Sequence, residues 1–308
     1  MARNIYTDLA MEARELNPSI PGIEETNESK GEIGVSRIRV INDLAAQKLS
    51  KKKGIYVTLD APELVNRPLD LFEALSKAVA EEIKQLTGGL KDEATVLVVG
   101  LGNRFITPDS LGPRVAEQVY VTRHITEYLP DAFDHPIRSV CAIAPGVLGV
   151  TGVETLEIIR GVVEHIKPDL VIAIDSLAAR SSERISTAVQ ITDTGISPGS
   201  GVGNTRLDIS PEALNVPVLA IGVPLVVYAS TVVQDAIELM ADETGLHNDE
   251  ERLKSLAEKV INEKLGPMIM TPKDIDSIVG DMSRIIADGI NLAIHDANYD
   301  EIRSLIAH

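Results

Sequence analysis

The 308-residue chain has no tryptophan, one cysteine and few aromatic residues, 3% in all. A core without large rings must be filled by Val, Ile, Leu and Ala, which suits a buried parallel sheet covered by helices. The lone Cys141 excludes an internal disulfide and any site built from several thiolates, and its setting in SVCAIAPGV marks it as a small buried side chain. Positive charge is scarce: 29 Lys and Arg stand against 46 Asp and Glu, a net charge of -17 with an isoelectric point near 4.8. Such a chain repels nucleic-acid phosphates and anionic membranes, and no basic stripe interrupts the pattern, so direct nucleic-acid binding is not expected. No segment reaches the roughly 18 consecutive apolar residues of a membrane span, and MARNIYTDLAMEARELNP lacks an apolar signal core, so a cytoplasmic protein with no membrane partner is expected. HExxH and GxSxG patterns are missing and the six histidines show no ligand spacing, so no metal and no cofactor is expected.

What is present is an alternation. The apolar runs TVLVVG, SVCAIAPG, LVIAID, AVQITD and VLAIGV are separated by helical or Gly-rich stretches, which predicts an α/β fold with a central, mostly parallel sheet flanked by helices. Leu71, Leu75, Val79 and Ile83 recur every four residues in one helix, stopped by TGG; Leu156, Ile159, Val163 and Ile166 share the face of another. SRIRVIN and IYVTLDA read as half-buried strands joined by the Lys-rich turn SKKKG, and residues 16 to 34 as a loop or extended arm. The C-terminal third reads as helix, with Thr271 and Asp274 forming a capping box around Pro272. No linker divides the chain, so one domain is expected.

The stretch VVGLGNRFITPDSLGPRV begins like a nucleotide-binding turn, but Asn103, Arg104 and Phe105 follow Gly100 and Gly102 where a third small residue is needed, and there is no Walker lysine. Thr107, Pro108, Asp109 and Ser110 instead form a rigid turn into a helix carrying Leu111, Val115 and Val119. Asp109 there is either a simple helix cap or a working acid. Asp175, at the end of LVIAID, is a second acid at the carboxyl end of a strand, where ligands of open α/β sheets bind. Two carboxylates facing one poorly solvated crevice cannot both ionise easily, so one keeps a proton while the other acts as a base on water; the bland alternative is that Asp175 is an ordinary strand-end carboxylate. In ITDTGISPGSGVGN, Gly199, Gly201 and Gly203 leave backbone N–H groups uncovered, as an anion nest or a peptide-binding loop would, while a plain surface loop is equally open. Asp193 reads as a turn residue and His124 as a helix C-terminal residue.

Five motifs in this order, VGLGNRFITPDSLGPRV, APGVLGVTGVET, VIAIDSLAARSSERI, QITDTGISPGSGVGN and AIGVPLVV, resemble the spore germination protease family. The likeness runs from YTDLAMEA to MTPKDIDSIVGDMSRIIADGINLAIH. It implies an endopeptidase that degrades small acid-soluble spore proteins at germination, an atypical aspartic protease acting in the spore core. The TPD and AID motifs of the family hold its two catalytic aspartates, matched by Asp109 and Asp175. The resemblance also implies a fold similar to that of hydrogenase-maturation endopeptidases, a homotetramer, and a zymogen that cuts its own N-terminus between an acid and a large apolar residue followed by Ala. Asp8, Leu9 and Ala10 fit that rule, giving a prosegment of residues 1–8 and a catalytic domain of 9–308. Ile5 departs from the acid preferred three residues earlier, and Glu12–Ala13 is a poorer alternative. The connection near 242 to 260 lacks an insertion carried by longer relatives. An acidic enzyme that cuts after acidic residues needs a local cation; Arg180, Arg184 and Arg206 are the candidates. Two other readings remain: a metal-assisted peptidase using the same carboxylates, and a non-catalytic α/β protein whose Gly-rich loop binds an anion.

Overall fold

The structure, a computed structural model, describes residues 7–129, 133–199, 207–244, 265 and 268–306. Among the described residues nine strands make one mixed sheet in the order β1-β2-β3-β7-β8-β6-β4-β5, with β9 added to β8. They are β1 (Ile23–Lys30), β2 (Ile33–Val40), β3 (Gly54–Asp60), β4 (Thr95–Gly100), β5 (Ser139–Ile143), β6 (Leu170–Ala179), β7 (Ala188–Thr192), β8 (Val218–Tyr228) and β9 (Ile269–Met270). The block β8-β6-β4-β5 is parallel, whereas β1, β2, β3 and β7 run as an antiparallel ribbon beside it. Apolar runs buried on both faces explain the parallel block.

Alternation along these strands divides the core. Val96, Val98, Ile172 and Ile174 point to one face, where they meet Leu75, Val79 and Ile83 of helix α3 (Leu69–Thr87) and Val279, Ile286 and Ile290 of the C-terminal helix Ile275–His295. Leu97, Val99, Val171 and Ala173 point to the other and meet Leu156, Ile159 and Val163 of the helix Thr155–Ile166. Each such side chain contributes about 1.5–3 kcal/mol by leaving water. Cys141 is half-buried beside this second core. No described helix is long and apolar enough to cross a membrane.

Four expectations change. Residues 16 to 34, expected as a loop or extended arm, hold strand β1 paired to β2: IEETNESK has no apolar alternation because this edge strand is exposed on both faces along most of its length. The connection from β2 to β3 holds helix α2 (Asp43–Leu49), capped by Asn42, whose side chain accepts the Ala45 N–H at 2.9 Å. The capping box does not form; Thr271 donates its hydroxyl to the Leu225 carbonyl at 2.9 Å, and the helix begins at Ile275. His124 lies in the first turn of the helix Arg123–Tyr128, not at its end.

Candidate active site

The site begins where strand β4 stops. β4 pairs with β6 only as far as Gly100 opposite Ile174, after which Leu101 donates its N–H to the Ile174 carbonyl at 2.8 Å and the chain turns away. Strand β6 does not end at Asp175, as its apolar content suggests; it continues to Ala179 along β8, with a bulge at Leu177/Ala178. The departure of β4 leaves one flank of β6 uncovered from Asp175 onward, and a cavity of about 320 Å³ occupies that flank. This is the crevice position at which α/β sheets bind ligands.

The turn after β4 is packed too closely for side chains. A Cβ on Gly100 would lie 2.1 Å from the Gly112 carbonyl oxygen, and one on Gly112 would lie 2.3 Å from the Leu101 carbonyl oxygen and 2.6 Å from that of Ile174. Gly102 has φ +105, and its missing Cβ would sit 2.1 Å from the Asp109 carbonyl oxygen. The glycines therefore bring helix α4 (Leu111–Ala116) and the single 3-10 turn Thr107–Asp109 down onto the strand end. Asp109 is not the cap of α4, a position held by Ser110. Its carboxylate instead accepts the Asn103 N–H at 2.8 Å, across the loop.

Asp109 and Asp175 line the same cavity, together with Ser176, Pro198 and Gly199. Asp175 is 4% exposed. Burial raises its carboxyl well above the usual carboxylate range, and the negative charge of Asp109 pushes it further; N–H groups of Ser176 and Gly199 partly oppose this by donating to it. The Ser176 hydroxyl is buried and has no hydrogen-bond partner among the described residues. Nothing in the sequence separates Ser176 from any residue that follows a strand acid. Gly201, Gly203 and Arg206 lie outside the described residues. Asp193 holds the Ile55 N–H at 2.7 Å, a turn contact as expected. Among the described residues no three His, Cys, Asp or Glu side chains gather into a metal-binding group.

The N-terminal segment docks on the same strand. Asp8 donates its N–H to the Ala178 carbonyl at 3.0 Å, and its carboxylate accepts the Ala178 N–H at 2.8 Å. Leu9 is fully buried against Leu177, Ala179 and Val227. In helix α1 (Ala10–Glu15), Glu12 is 1% exposed and accepts the N–H groups of Arg180 and Ser181 at 2.7 and 2.9 Å. Arg184 pairs with Glu15 at 2.6 Å and with Glu12 at 3.4 Å, so its charge is met by the protein's own carboxylates. Asp109, Asp175 and Gly199 thus line one cavity, Asp8 and Leu9 dock beside it on strand β6 without lining it, and Arg180 and Arg184 meet helix α1.

Fold and crevice together describe an α/β protein that gathers two carboxylates at the open flank of a central strand. The chain belongs to the germination protease family, whose model matches residues 1–261. It is 45% identical to the germination protease of Caldanaerobacter subterraneus subsp. tengcongensis over 319 residues, covering 99% of this chain and 98% of the relative. It is 43% identical to that of Clostridium acetobutylicum, covering 96% of each. A [NiFe] hydrogenase maturation protease, HycI from Thermococcus kodakarensis, overlaps 43% of this chain and 75% of its own at 19% identity and a TM-score of 0.27, a partial likeness that carries no weight alone. The protein is therefore a peptidase of germination.

Proposed function

We propose that this chain is a self-activating endopeptidase that cuts small acid-soluble spore proteins after acidic residues, with Asp109 and Asp175 as an atypical aspartic pair. The observation that carries the reading is the buried Asp175 beside Asp109, its carboxyl driven upward first by burial and then by the neighbouring charge. Asp175, its carboxyl raised, is the proton donor, and Asp109, on the loop, takes the proton of a water that attacks the scissile carbonyl. The acid then protonates the leaving amine. Residues 1–8 are the prosegment and 9–308 the catalytic domain, released by cleavage of Asp8–Leu9. The mature enzyme acts as a homotetramer in the spore core.

Replacement of either aspartate by Asn tests this. Asp109→Asn and Asp175→Asn should each stop cleavage of a spore-protein peptide in a liquid-chromatography assay while retaining a cooperative melt; full activity in either variant sinks the pair. Peptide cleavage should also survive a chelator, because no metal takes part. Because the proton on Asp175 is used, the rate falls as pH rises through its elevated pKa.

A further inference from the structure

The turn SKKKG reads in sequence as a solvated lysine cluster, and two of its three lysines behave so. Lys52 pairs with Asp208 at 2.8 Å and Lys53 with Asp43 at 2.7 Å. Lys51 does something else: its ammonium donates to two main-chain carbonyls, Thr7 at 3.0 Å and Asp8 at 2.8 Å. The Asp8 oxygen receives a second donor, the Gln190 side-chain amide at 3.0 Å, while the Gln190 carbonyl oxygen accepts the Ala10 N–H at 2.7 Å. That doubly held oxygen belongs to the Asp8–Leu9 peptide bond.

We propose that Lys51 is a catalytic residue of self-cleavage, holding the carbonyl oxygen of the Asp8–Leu9 bond and stabilising the negative charge that develops on it, with Gln190 as the second donor. The inference rests on the self-cleavage reading above and adds the group that receives the oxyanion. Asp109 as base and Asp175 as the acid of the leaving amine are both engaged in proton transfer, so the negative oxygen of the tetrahedral intermediate needs other donors already in place. Lys51 and Gln190 supply them from the far side of Leu177, since Asp8, Lys51 and Gln190 line a second cavity that Leu177 parts from the first on the same face of the sheet. Asp8 is still near enough for its charge to raise the Asp175 carboxyl.

The position of Lys51 is fixed: its N–H donates to the Ala46 carbonyl at 3.0 Å at the end of α2. Burial lowers its pKa, opposed by the charges of Asp8 and Glu12, as expected of an ammonium withdrawn from bulk water. In the step itself, water oxygen bonds to the Asp8 carbonyl carbon, one water proton passes to an aspartate, and the C=O electron pair moves onto the oxygen held by Lys51 and Gln190. Collapse breaks the C–N bond. The Leu9 nitrogen, whose N–H donates to the Thr7 hydroxyl at 3.0 Å, takes a proton from the carboxylic acid and leaves as an amine.

The full chain tests this through the intact mass of the protein over time. Lys51→Met should slow loss of residues 1–8 by about 100-fold to 1000-fold, the effect of removing one preorganised donor. Lys51→Arg should restore the rate to within about tenfold of the parent, and Gln190→Met should fall between. Hydrogen exchange of residues 7–13, measured in an Asp175→Asn background, should remain slow in Lys51→Met, because Ala178 and Gln190 still hold the segment. Lys51→Met cleaving within about threefold of the parent would falsify the proposal. So would slow cleavage in which residues 7–13 lose protection and Lys51→Arg is equally slow, since Lys51 then only anchors the segment. Should Lys51→Met not melt cooperatively, Gln190→Met decides: a parental rate there overturns the two-donor site. A parent chain that never loses residues 1–8 removes the self-cleavage reading along with this one. A parent that cleaves while Lys51→Met cleaves equally fast removes only the role of Lys51.

Discussion

The two flanks of Leu177, on one face of the sheet, follow opposite electrostatic rules. One flank, opened where β4 turns away, holds Asp109, Asp175 and the Ser176 hydroxyl, which has no partner among the described residues, in largely apolar surroundings. The other holds Lys51, Gln190, Tyr56 and Thr194, and Tyr56 accepts the Thr194 hydroxyl at 3.1 Å. The first flank raises a carboxyl by withholding water and adding like charge. The second lowers an ammonium by burial while giving it carbonyl oxygens to bind. Hydrolysis of an amide needs both kinds of group, proton carriers and fixed donors at the carbonyl oxygen, and the Leu177 side chain stands between the two sets.

The strongest way to break the comparison is Asp175→Asn, expected to reduce peptide cleavage about a thousandfold or more. The same change should raise the melting temperature at neutral pH. A carboxyl whose folded pKa lies above its unfolded value favours folding fully below the unfolded pKa, and loses that contribution as pH rises through the folded one. The gap between variant and parent should therefore close on acidification; a lower melting temperature at pH 7 would show that Asp175 is an ordinary satisfied carboxylate.

Next in size is Gly112→Ala, which forces a methyl group to within 2.3 Å of backbone oxygen and cannot be absorbed by side-chain motion. It should cost about 3 kcal/mol in urea titration and displace the Asp109 loop, so activity should fall while the Lys51 flank, read by protection of residues 7–13, survives.

His295 lies outside both flanks and sharpens the comparison as a control. It is buried at the end of the C-terminal helix, bonded to the Tyr120 carbonyl at 2.9 Å, and burial takes its pKa down to about 4. A depressed histidine favours folding while both states are neutral, so stability should decline by about 2–3 kcal/mol as pH falls from about 6.5 to about 4. His295→Gln should flatten that decline without altering the rate profile of peptide cleavage. The smallest effect is expected for Ser176→Ala: no loss of melting temperature, since the hydroxyl has no partner among the described residues.

The sequence made the middle of the molecule readable and its margins much less so. β4, β6 and the helices at 69–87, 155–166 and 275–295 declare themselves through apolar periods, because both faces of the sheet are covered. Asp175 was legible because it ends a strong apolar run, and Asp109 because Thr107 and Pro108 set it in a turn after another such run; both follow strand ends of an open α/β sheet. β1 was not, since an exposed strand has no pattern to show. The extension of β6 past Asp175 depends on β8 as its partner, and no residue of SLAA announces that pairing. Lys51 was hidden for a different reason. Its neighbours Lys52 and Lys53 have the same chemistry, and only the chain crossing from Thr7 to Leu9 distinguishes it.

The first bond this peptidase is proposed to cut is held by its own strand β6, lysine and glutamine, so no second molecule has to be met. Its maturation is then a clock rather than a collision. The half-life should be the same in a dilute tube and in a crowded compartment, and a thousandfold dilution that lengthened it would mean that one copy trims another.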